Sequence, residues 1–373
     1  PEIGQSGLRL PQIGALHAIS AHLSTDKKLD PATVVLPTGT GKTETMVATL
    51  VYWKAPCILV IVPSRSLREQ ITNKFLSLGC LSELGVVSPS SLLPYVAEIK
   101  RGISSVEEAE RLVASANVII ATPNVFQKEE YSEAVDRLCE NCSHLFIDEA
   151  HHVSAKSWAA VRYRFSGRPV IQFTATPFRN DREALGGRII FNYTMGEAQR
   201  AGYFKSVNLN PVEEYYEDRA DRVIATEAVG LLRQDLESGL DHLMMARVSS
   251  KARANSLLNT YREIAIDLQP IIIHSDFSLK KNKQCLELLR ERKSRIVICV
   301  DMLGEGYDLP NLKVAALHDH HKSLAITLQF IGRFTRTERD SPIGDASAVV
   351  NIADPGVGKG LDRLYSQGAD WDV

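Results

Sequence analysis

Short runs rich in Val, Ile and Leu recur along the whole chain, and stretches with helical periodicity separate them. Nearly continuous apolar runs of this length suit strands of a parallel sheet that is covered on both faces. In the first half the runs are 32–36, 57–62, 117–122, 144–148 and 169–174. In the second half they are 242–248, 270–275, 295–300, 313–318 and 347–352. The pattern predicts an α/β protein with mostly parallel sheets flanked by helices.

The length of 373 residues suggests two such units, since one domain takes roughly 100–200 residues. The acidic and mixed stretch 211–222 marks the expected boundary, so we predict one domain over 1–210 and another over 211–373. The net charge of −2 excludes a globally basic nucleic-acid binder. It leaves room for a local basic groove, because phosphates respond to the local potential. Since the chain begins at Pro1 and ends in a polar stretch, we expect it to be part of something longer.

The stretch LPTGTGKTE, residues 36–44, follows an apolar run and begins a helical one, which is the context that a phosphate-binding loop requires. Gly39 and Gly41 allow backbone N–H groups to turn toward phosphate oxygens. Lys42 offers a charge to the β- and γ-phosphates, and the Thr43 hydroxyl can hold Mg²⁺. The alternative is a Gly-rich turn without a ligand.

Asp148 and Glu149 end another apolar run, at the carboxyl end of a predicted parallel strand. Ligands of open α/β sheets bind at this end of the strands. Asp148 is suited to hold Mg²⁺, usually through water, and Glu149 is suited to polarise an attacking water as a general base. The alternative is a solvated strand end followed by acids at the start of a helix, and a phosphate loop upstream argues against it.

Together these stretches resemble motifs I and II of the superfamily 2 helicases, the second in the DEAH spelling that ends at His151. Motif I of that family commonly lacks the first Gly, so Leu36 agrees with it. The other resemblances follow in order: 8–12 to the Q-motif, 63–70 to motif Ia, 121–124 to motif Ib, 174–179 to motif III, 300–310 to motif V and 329–336 to motif VI. The resemblance spans nearly the whole chain.

The resemblance implies two tandem RecA-like domains with an ATP cleft between them, and hydrolysis of ATP with Mg²⁺ as the cofactor. It implies that Gln12 recognises adenine, with Arg9 nearby. The implied nucleotide-binding residues are Arg9, Gln12, Pro37, Thr38, Gly39, Thr40, Gly41, Lys42, Thr43, Glu44, Gly306 and Asp308. The residues implied to couple hydrolysis to motion are His151, Thr174, Thr176 and Gln329.

Arg333 and Arg336 stand three positions apart in the motif VI stretch. Arginine is costly to bury without a partner, so the pair is either a solvated helix face or a binder of several negative oxygens. The resemblance implies that both reach the γ-phosphate from the second domain and act in catalysis together with Lys42 and Glu149. A planar, permanently charged group suits the charge that spreads over phosphoryl oxygens in the transition state.

The residues that stand in the motifs favour DNA as the nucleic-acid partner. The stretches 174–179 and 300–310 look more like those of the helicase subunits of type I and type III restriction enzymes, and of related DNA translocases, than like those of DEAH RNA helicases. The expected strand contacts are Arg65, Thr122 and Ser275, because phosphate contacts need such donors. Each of the three is alternatively a turn or cap residue.

The interpretation is an ATP-dependent helicase or translocase on DNA, single-stranded or duplex, that serves as the motor of a restriction, repair or phage-defence protein. An RNA helicase is the alternative within the same class. A nucleotide-switch ATPase without motor activity is the alternative from another class, and a second α/β unit argues against it. No nuclease constellation is visible, so any cleavage would belong to a partner or to missing segments.

Six scattered cysteines, without a secretory or membrane-length apolar segment, predict a reducing cytoplasmic location and no membrane partner. Cys139, Cys142 and His144 have a metal-like spacing. A zinc site needs four ligands, and no second cysteine pair lies near them, so we expect no zinc there. We also expect the histidines of the stretch 318–321 to be hydrogen-bonded or solvated rather than metal ligands.

Overall fold

The structure, a computed structural model, describes residues 7–25, 29–126, 132–150, 161–175, 186–203, 207–274, 276–300, 309, 311–319 and 344–354. The chain divides into two compact units, Pro1–Tyr193 and Thr194–Val373. The boundary lies earlier than the expected one after residue 210. The reason is that the strand Val207–Val212 pairs with the strand Ala346–Asn351 and so belongs to the second sheet.

The first unit is a parallel sheet in which a helix follows each of the first four strands. Its strands are β1 (Ala32–Val35), β2 (Ile58–Ile61), β3 (Val96–Glu98), β4 (Val118–Ala121), β5 (His144–Ile147), β6 (Val170–Thr174) and β7 (Arg188–Asn192). Its helices are α1 (Leu10–Thr25), α2 (Lys42–Trp53), α3 (Arg65–Leu76), α4 (Val106–Ser115) and α5 (Ser132–Asn141), with a 3₁₀ turn at Pro123–Phe126. The strand order is β3-β4-β2-β5-β6-β1-β7, and all neighbouring strands are parallel. The carboxyl ends of these strands therefore lie at one edge.

The second unit repeats this architecture. Its strands are β8 (Val207–Val212), β9 (Leu243–Val248), β10 (Ile271–Ile273), β11 (Ile296–Val300), β12 (Leu312–Leu317) and β13 (Ala346–Asn351). Its helices are α6 (Met195–Arg200), α7 (Glu217–Glu237), α8 (Lys251–Ala265) and α9 (Leu279–Arg290), with a 3₁₀ turn at Ile266–Leu268. The strand order is β10-β11-β9-β12-β13-β8, again with parallel neighbours.

The central strands are buried on both faces, as their unbroken apolar runs predict. Every residue of β1, β2, β4 and β9 is buried. Each sheet separates two apolar clusters, one on either face, which are formed by its strands and the covering helices. The expected fold class, two RecA-like units with parallel sheets flanked by helices, is confirmed. Among the helices in the described ranges, none is long and apolar enough to cross a membrane.

Candidate nucleotide-binding site

The loop that joins β1 to α2 has the geometry of a phosphate-binding turn. Gly39 and Gly41 have φ angles of 95° and 97°, in the left-handed region that favours glycine. Thr40 donates to the carbonyl oxygen of Pro37 from its backbone N–H (3.2 Å) and from its hydroxyl (2.7 Å). The loop therefore closes on itself before Gly41 caps the N-terminus of α2.

Several polar groups of this loop are suited to phosphate oxygens. Lys42 and Thr43 lie in the first turn of α2, where the helix dipole favours an anion. The hydroxyl oxygen of Thr38 is buried and has no hydrogen-bond partner among the residues that the structure describes. A buried hydroxyl without a partner is costly, and a ligand oxygen would satisfy it.

Lys42 forms an ion pair with Glu149, whose backbone follows β5. The Lys42 ammonium donates to Oε1 of Glu149, and the two side chains are only 8% and 10% exposed. Burying two charges requires that they neutralise each other. The structure therefore brings together the two residues that sequence reasoning placed in the phosphate loop and in the acidic motif.

The acidic pair lies in a turn at the carboxyl end of β5. The Asp148 N–H still donates to the Ile61 carbonyl oxygen (2.9 Å), while Oδ1 of Asp148 accepts the N–H of Glu149 (3.0 Å). Glu149 has a φ of 47°, which is uncommon for a residue with a side chain and recurs at functional sites. The hydroxyl of Thr43 and the carboxylate of Asp148 are hard oxygen donors, which fit Mg²⁺.

Two residues at the start of α1 contact the same loop. A guanidinium nitrogen of Arg9 (Nη1) donates to the Gly39 carbonyl oxygen at 3.0 Å, and Nε2 of Gln12 donates to the Gly41 carbonyl oxygen at 3.2 Å. Oε1 of Gln12 accepts the backbone N–H of Arg9 at 2.8 Å. The Q-motif stretch and the phosphate loop are thus joined by direct hydrogen bonds.

Glu44 and Thr174 also have defined surroundings. Glu44 pairs with Lys74 of α3 at 2.8 Å. The sequence did not point to Lys74, because it lies 30 positions after Glu44 and belongs to none of the motifs. Thr174 ends β6 and is fully buried, and its carbonyl oxygen accepts the N–H of Leu36 at 2.9 Å. Thr174 therefore links β6 to the first residue of the loop.

The expected strand contacts in the first unit lie at one sheet edge. Arg65 is exposed at the first position of α3, just after β2, and Thr122 is half-buried just after β4. These two strands are neighbours in the sheet. The remaining predicted residues lie outside the described ranges: His151, Thr176, Ser275, Gly306, Asp308, Gln329, Arg333 and Arg336.

The metal-like cysteines are buried free thiols. Sγ of Cys142 lies 3.8 Å from Sγ of Cys57, and burial raises the pKa of the Cys139 thiol to about 12. A protonated thiol is a poor metal ligand. In the part of the chain that the structure describes, no group of three or more His, Cys, Asp or Glu side chains could hold a metal ion.

His318 belongs to a buried hydrogen-bonded network of the second unit. Its ring nitrogens contact the hydroxyl of Tyr261 and Oδ1 of Asp221, each at 2.9 Å. Arg253 also donates to both oxygens of Asp221. Burial opposes ionisation of Asp221, but the hydrogen bonds from His318 and Arg253 outweigh it and lower the pKa of this carboxyl to about 2. His318 is thus satisfied by protein partners.

Comparisons with known proteins agree with this architecture. A family model described as "Type III restriction enzyme, res subunit" matches residues 5–179, and one described as "Helicase conserved C-terminal domain" matches residues 228–338. The ATP-dependent RNA helicase DBP8 of Meyerozyma guilliermondii is 25% identical over 85% of this chain and 73% of its own length.

Two solved structures share the fold. An ATP-dependent Type ISP restriction-modification enzyme, LlaBIII, bound to DNA, aligns over 98% of this chain with a TM-score of 0.63 and 15% identity. This chain spans only 29% of that enzyme's length. Dbp5 of S. cerevisiae, bound to RNA and ADP BeF3, aligns over 98% of this chain and 93% of its own, with a TM-score of 0.59 and 17% identity.

Proposed function

Because this chain belongs to the superfamily 2 helicases, we propose that it hydrolyses ATP at the loop between β1 and α2 and uses the energy to move along nucleic acid, with DNA favoured over RNA. The observation that carries the proposal is the buried contact of Lys42 with Glu149 beside a glycine-rich turn. This contact joins Lys42, the candidate phosphate-binding cation, to Glu149, the candidate general base. The second α/β unit supports a motor rather than a nucleotide switch.

Binding of ATP requires Lys42 to exchange one anion for another. The Lys42 ammonium donates to Glu149, and a γ-phosphate would compete for the same ammonium. Once Lys42 turns to phosphate, it no longer donates to the Glu149 carboxylate, which can then accept a proton from water. In this proposal Glu149 stays paired with Lys42 until ATP binds, and only then can it act as the general base.

Thr43 and Asp148 are the residues that would hold Mg²⁺. When bound, the ion neutralises charge on the β- and γ-phosphate oxygens. Asp148 is suited to this role because its carboxylate is fixed by the Glu149 N–H at the strand end. Arg333 and Arg336 are proposed to supply the positive charge that the transition state needs.

Lys42→Ala is expected to weaken ATP binding by roughly 10–100-fold, because charge-assisted hydrogen bonds to phosphate are lost. Calorimetric titration with ATP and Mg²⁺ measures this. Lys54→Ala is the matched control, since Lys54 follows the last turn of the same helix, away from the loop. Equal ATP affinity in the parent and in Lys42→Ala would contradict the assignment of the loop.

The choice between DNA and RNA is tested by measuring ATP hydrolysis with single-stranded DNA, duplex DNA and RNA side by side. The spelling of motifs III and V and the restriction-enzyme family match support DNA. The curated relative DBP8 is an RNA helicase, which keeps RNA as the alternative. We expect stimulation by DNA, and hydrolysis that responds to RNA alone would establish the alternative.

Binding of single strands is expected to weaken with salt despite the net charge of −2. Backbone contacts release counterions, so the logarithm of affinity should fall with a slope of about −0.7 per neutralised phosphate. Arg65→Ala should make that slope shallower by about one such unit, as measured by fluorescence anisotropy at several salt concentrations. Arg111→Ala, on the exposed side of α4, serves as the control. A slope that does not respond to Arg65→Ala would remove this residue from the strand contacts.

A second proposal concerns the larger assembly. The match to a restriction-enzyme subunit supports a role as the motor module of a restriction, repair or defence system. In that case a nuclease partner or a further domain would carry out any cleavage. Incubating the chain with ATP and plasmid DNA tests this, because the motor alone should leave the plasmid uncut.

A further inference from the structure

Two buried thiols face each other at the amino edge of the first sheet. Cys57 directly precedes β2, and Cys142 lies just before β5, which is the neighbour of β2 in the sheet. Their Sγ atoms are 3.8 Å apart, and the two residues are only 4% and 1% exposed. The phosphate loop and the acidic pair follow the carboxyl ends of β1 and β5, so the thiol pair lies outside the nucleotide-binding site.

The backbone beside the two thiols is fixed by hydrogen bonds between the strand ends. The Cys57 carbonyl oxygen accepts the N–H of Ser143 at 2.8 Å and the Ser143 hydroxyl at 2.6 Å. Since Ile58 pairs with His144, Cys142 lies one position before the residue opposite Cys57. Strand spacing and rise per residue then place the two Cα atoms roughly 6 Å apart, which is a span that a disulfide bridges.

The two thiols differ in how readily they ionise. The hydrogen bond between them lowers the pKa of Cys57 against the effect of burial, whereas the same hydrogen bond and burial raise the pKa of Cys142. The Arg168 guanidinium, which donates to the Cys142 carbonyl oxygen at 2.7 Å, adds a positive charge nearby. Because the thiolate is the reactive form, Cys57 is the sulfur that an oxidant attacks first, and Cys142 is the neighbour that can resolve the product.

Access to the buried thiols depends on the ends of the secondary-structure elements. Cys57 lies between α2 and β2, and Cys142 lies between α5 and β5. The ends of helices and strands open locally at a lower free-energy cost than their centres. A small oxidant can therefore reach this pair without unfolding of the sheet.

We propose that Cys57 and Cys142 are a modification site, which closes to a disulfide when the chain meets hydrogen peroxide. The Cys57 thiolate attacks one peroxide oxygen, the O–O bond breaks, and Cys57 becomes a sulfenic acid while hydroxide leaves and takes up a proton. The Cys142 sulfur then attacks the Cys57 sulfur, and the sulfenic oxygen leaves as water. In total the two thiols lose two electrons and two protons, and one peroxide becomes two waters.

The disulfide is expected to stabilise the first unit. It would join two residues that are 85 positions apart, and a crosslink over such a long loop restricts the unfolded chain. We expect oxidation to raise the apparent unfolding temperature by roughly 5–10 °C, and reduction with dithiothreitol to reverse the rise. Scanning fluorimetry of the oxidised, the reduced and the re-reduced chain measures the change.

The bond itself is tested by peptide mapping. The folded chain is treated with hydrogen peroxide, its remaining thiols are blocked with N-ethylmaleimide, and its peptides are identified by mass spectrometry without reduction. We expect a crosslinked pair of peptides that contains Cys57 and Cys142. This measurement uses the parent chain, so it holds even where a cysteine variant folds poorly.

Three variants identify the thiols that react. Cys57→Ala and Cys142→Ala should each lose both the crosslink and the rise in unfolding temperature. Cys139→Ala is the matched control, because Cys139 is a buried thiol on α5 near the same strand ends and takes no part in the proposed bond. It should keep both the crosslink and the rise.

The opposite results are equally clear. Thiols that stay reduced, oxidation of single cysteines without a crosslink, or a crosslink that involves Cys139 would overturn the assignment of this site. A Cys57–Cys142 crosslink that left the unfolding temperature unchanged would overturn the stabilising effect. Neither measurement involves a nucleotide, so the result does not depend on the proposed function.

Discussion

Replacing Arg333 or Arg336 with alanine is expected to lower the rate of strand-stimulated ATP hydrolysis by about 10³–10⁵-fold while changing ATP affinity little. The expectation follows from the position of both arginines in the motif VI stretch and from the chemistry of phosphoryl transfer. A planar guanidinium with several donors stabilises the charge that spreads over phosphoryl oxygens in the transition state. Steady-state kinetics with saturating single-stranded DNA measure the change.

Lysine at either position should restore little activity, because it lacks the planar fork of donors. Arg233→Ala is the matched control from the same unit, since Arg233 is an exposed side chain paired with Asp267. A double-mutant cycle between Arg336 and Glu149 should be non-additive if, as proposed, both act on one transition state. Near-parent turnover in folded Arg333→Ala and Arg336→Ala would mean that the two arginines form only a solvated face.

The second large effect is expected for Glu149→Gln, which should reduce hydrolysis by about 10²–10⁴-fold without loss of ATP or strand binding. Glutamine has the same length, and its carbonyl oxygen can still accept from Lys42, so the buried contact persists in a neutral–charged form. The amide cannot accept the proton of the attacking water. Single-turnover hydrolysis, together with ATP and strand affinities, separates the chemical step from binding.

Glu110→Gln provides the control for this variant, because Glu110 is a half-exposed carboxylate that pairs with Arg137 on the same unit. It should hydrolyse ATP like the parent. If Glu149→Gln turned over ATP at the parent rate, the general base would have to be another group. If it lost ATP binding instead, the ion pair with Lys42 would be needed to shape the loop.

The sequence predicted the central strands correctly, because a continuous apolar run is a local property. An apolar run of five or six residues has few ways to bury all its side chains, and the middle of a parallel sheet is the common one. The edge strands β3 and β7 were missed. Their side chains are only half-buried or exposed, so no continuous apolar run marks them. Strand β8 was missed for a related reason: it carries Pro211, which an edge strand tolerates.

Local sequence patterns were enough to predict a glycine-rich loop and an acidic pair at the carboxyl edge of one sheet. Which side chains meet there follows from the tertiary packing. Lys42 and Glu149 are 107 positions apart, and Gln12 and Gly41 are 29 apart. Contacts over such separations depend on strand order and on how α1 packs, which no local pattern encodes. For that reason the resemblance implied only that Gln12 recognises adenine, whereas its contacts with the backbone of Arg9 and Gly41 became visible with the packing of α1.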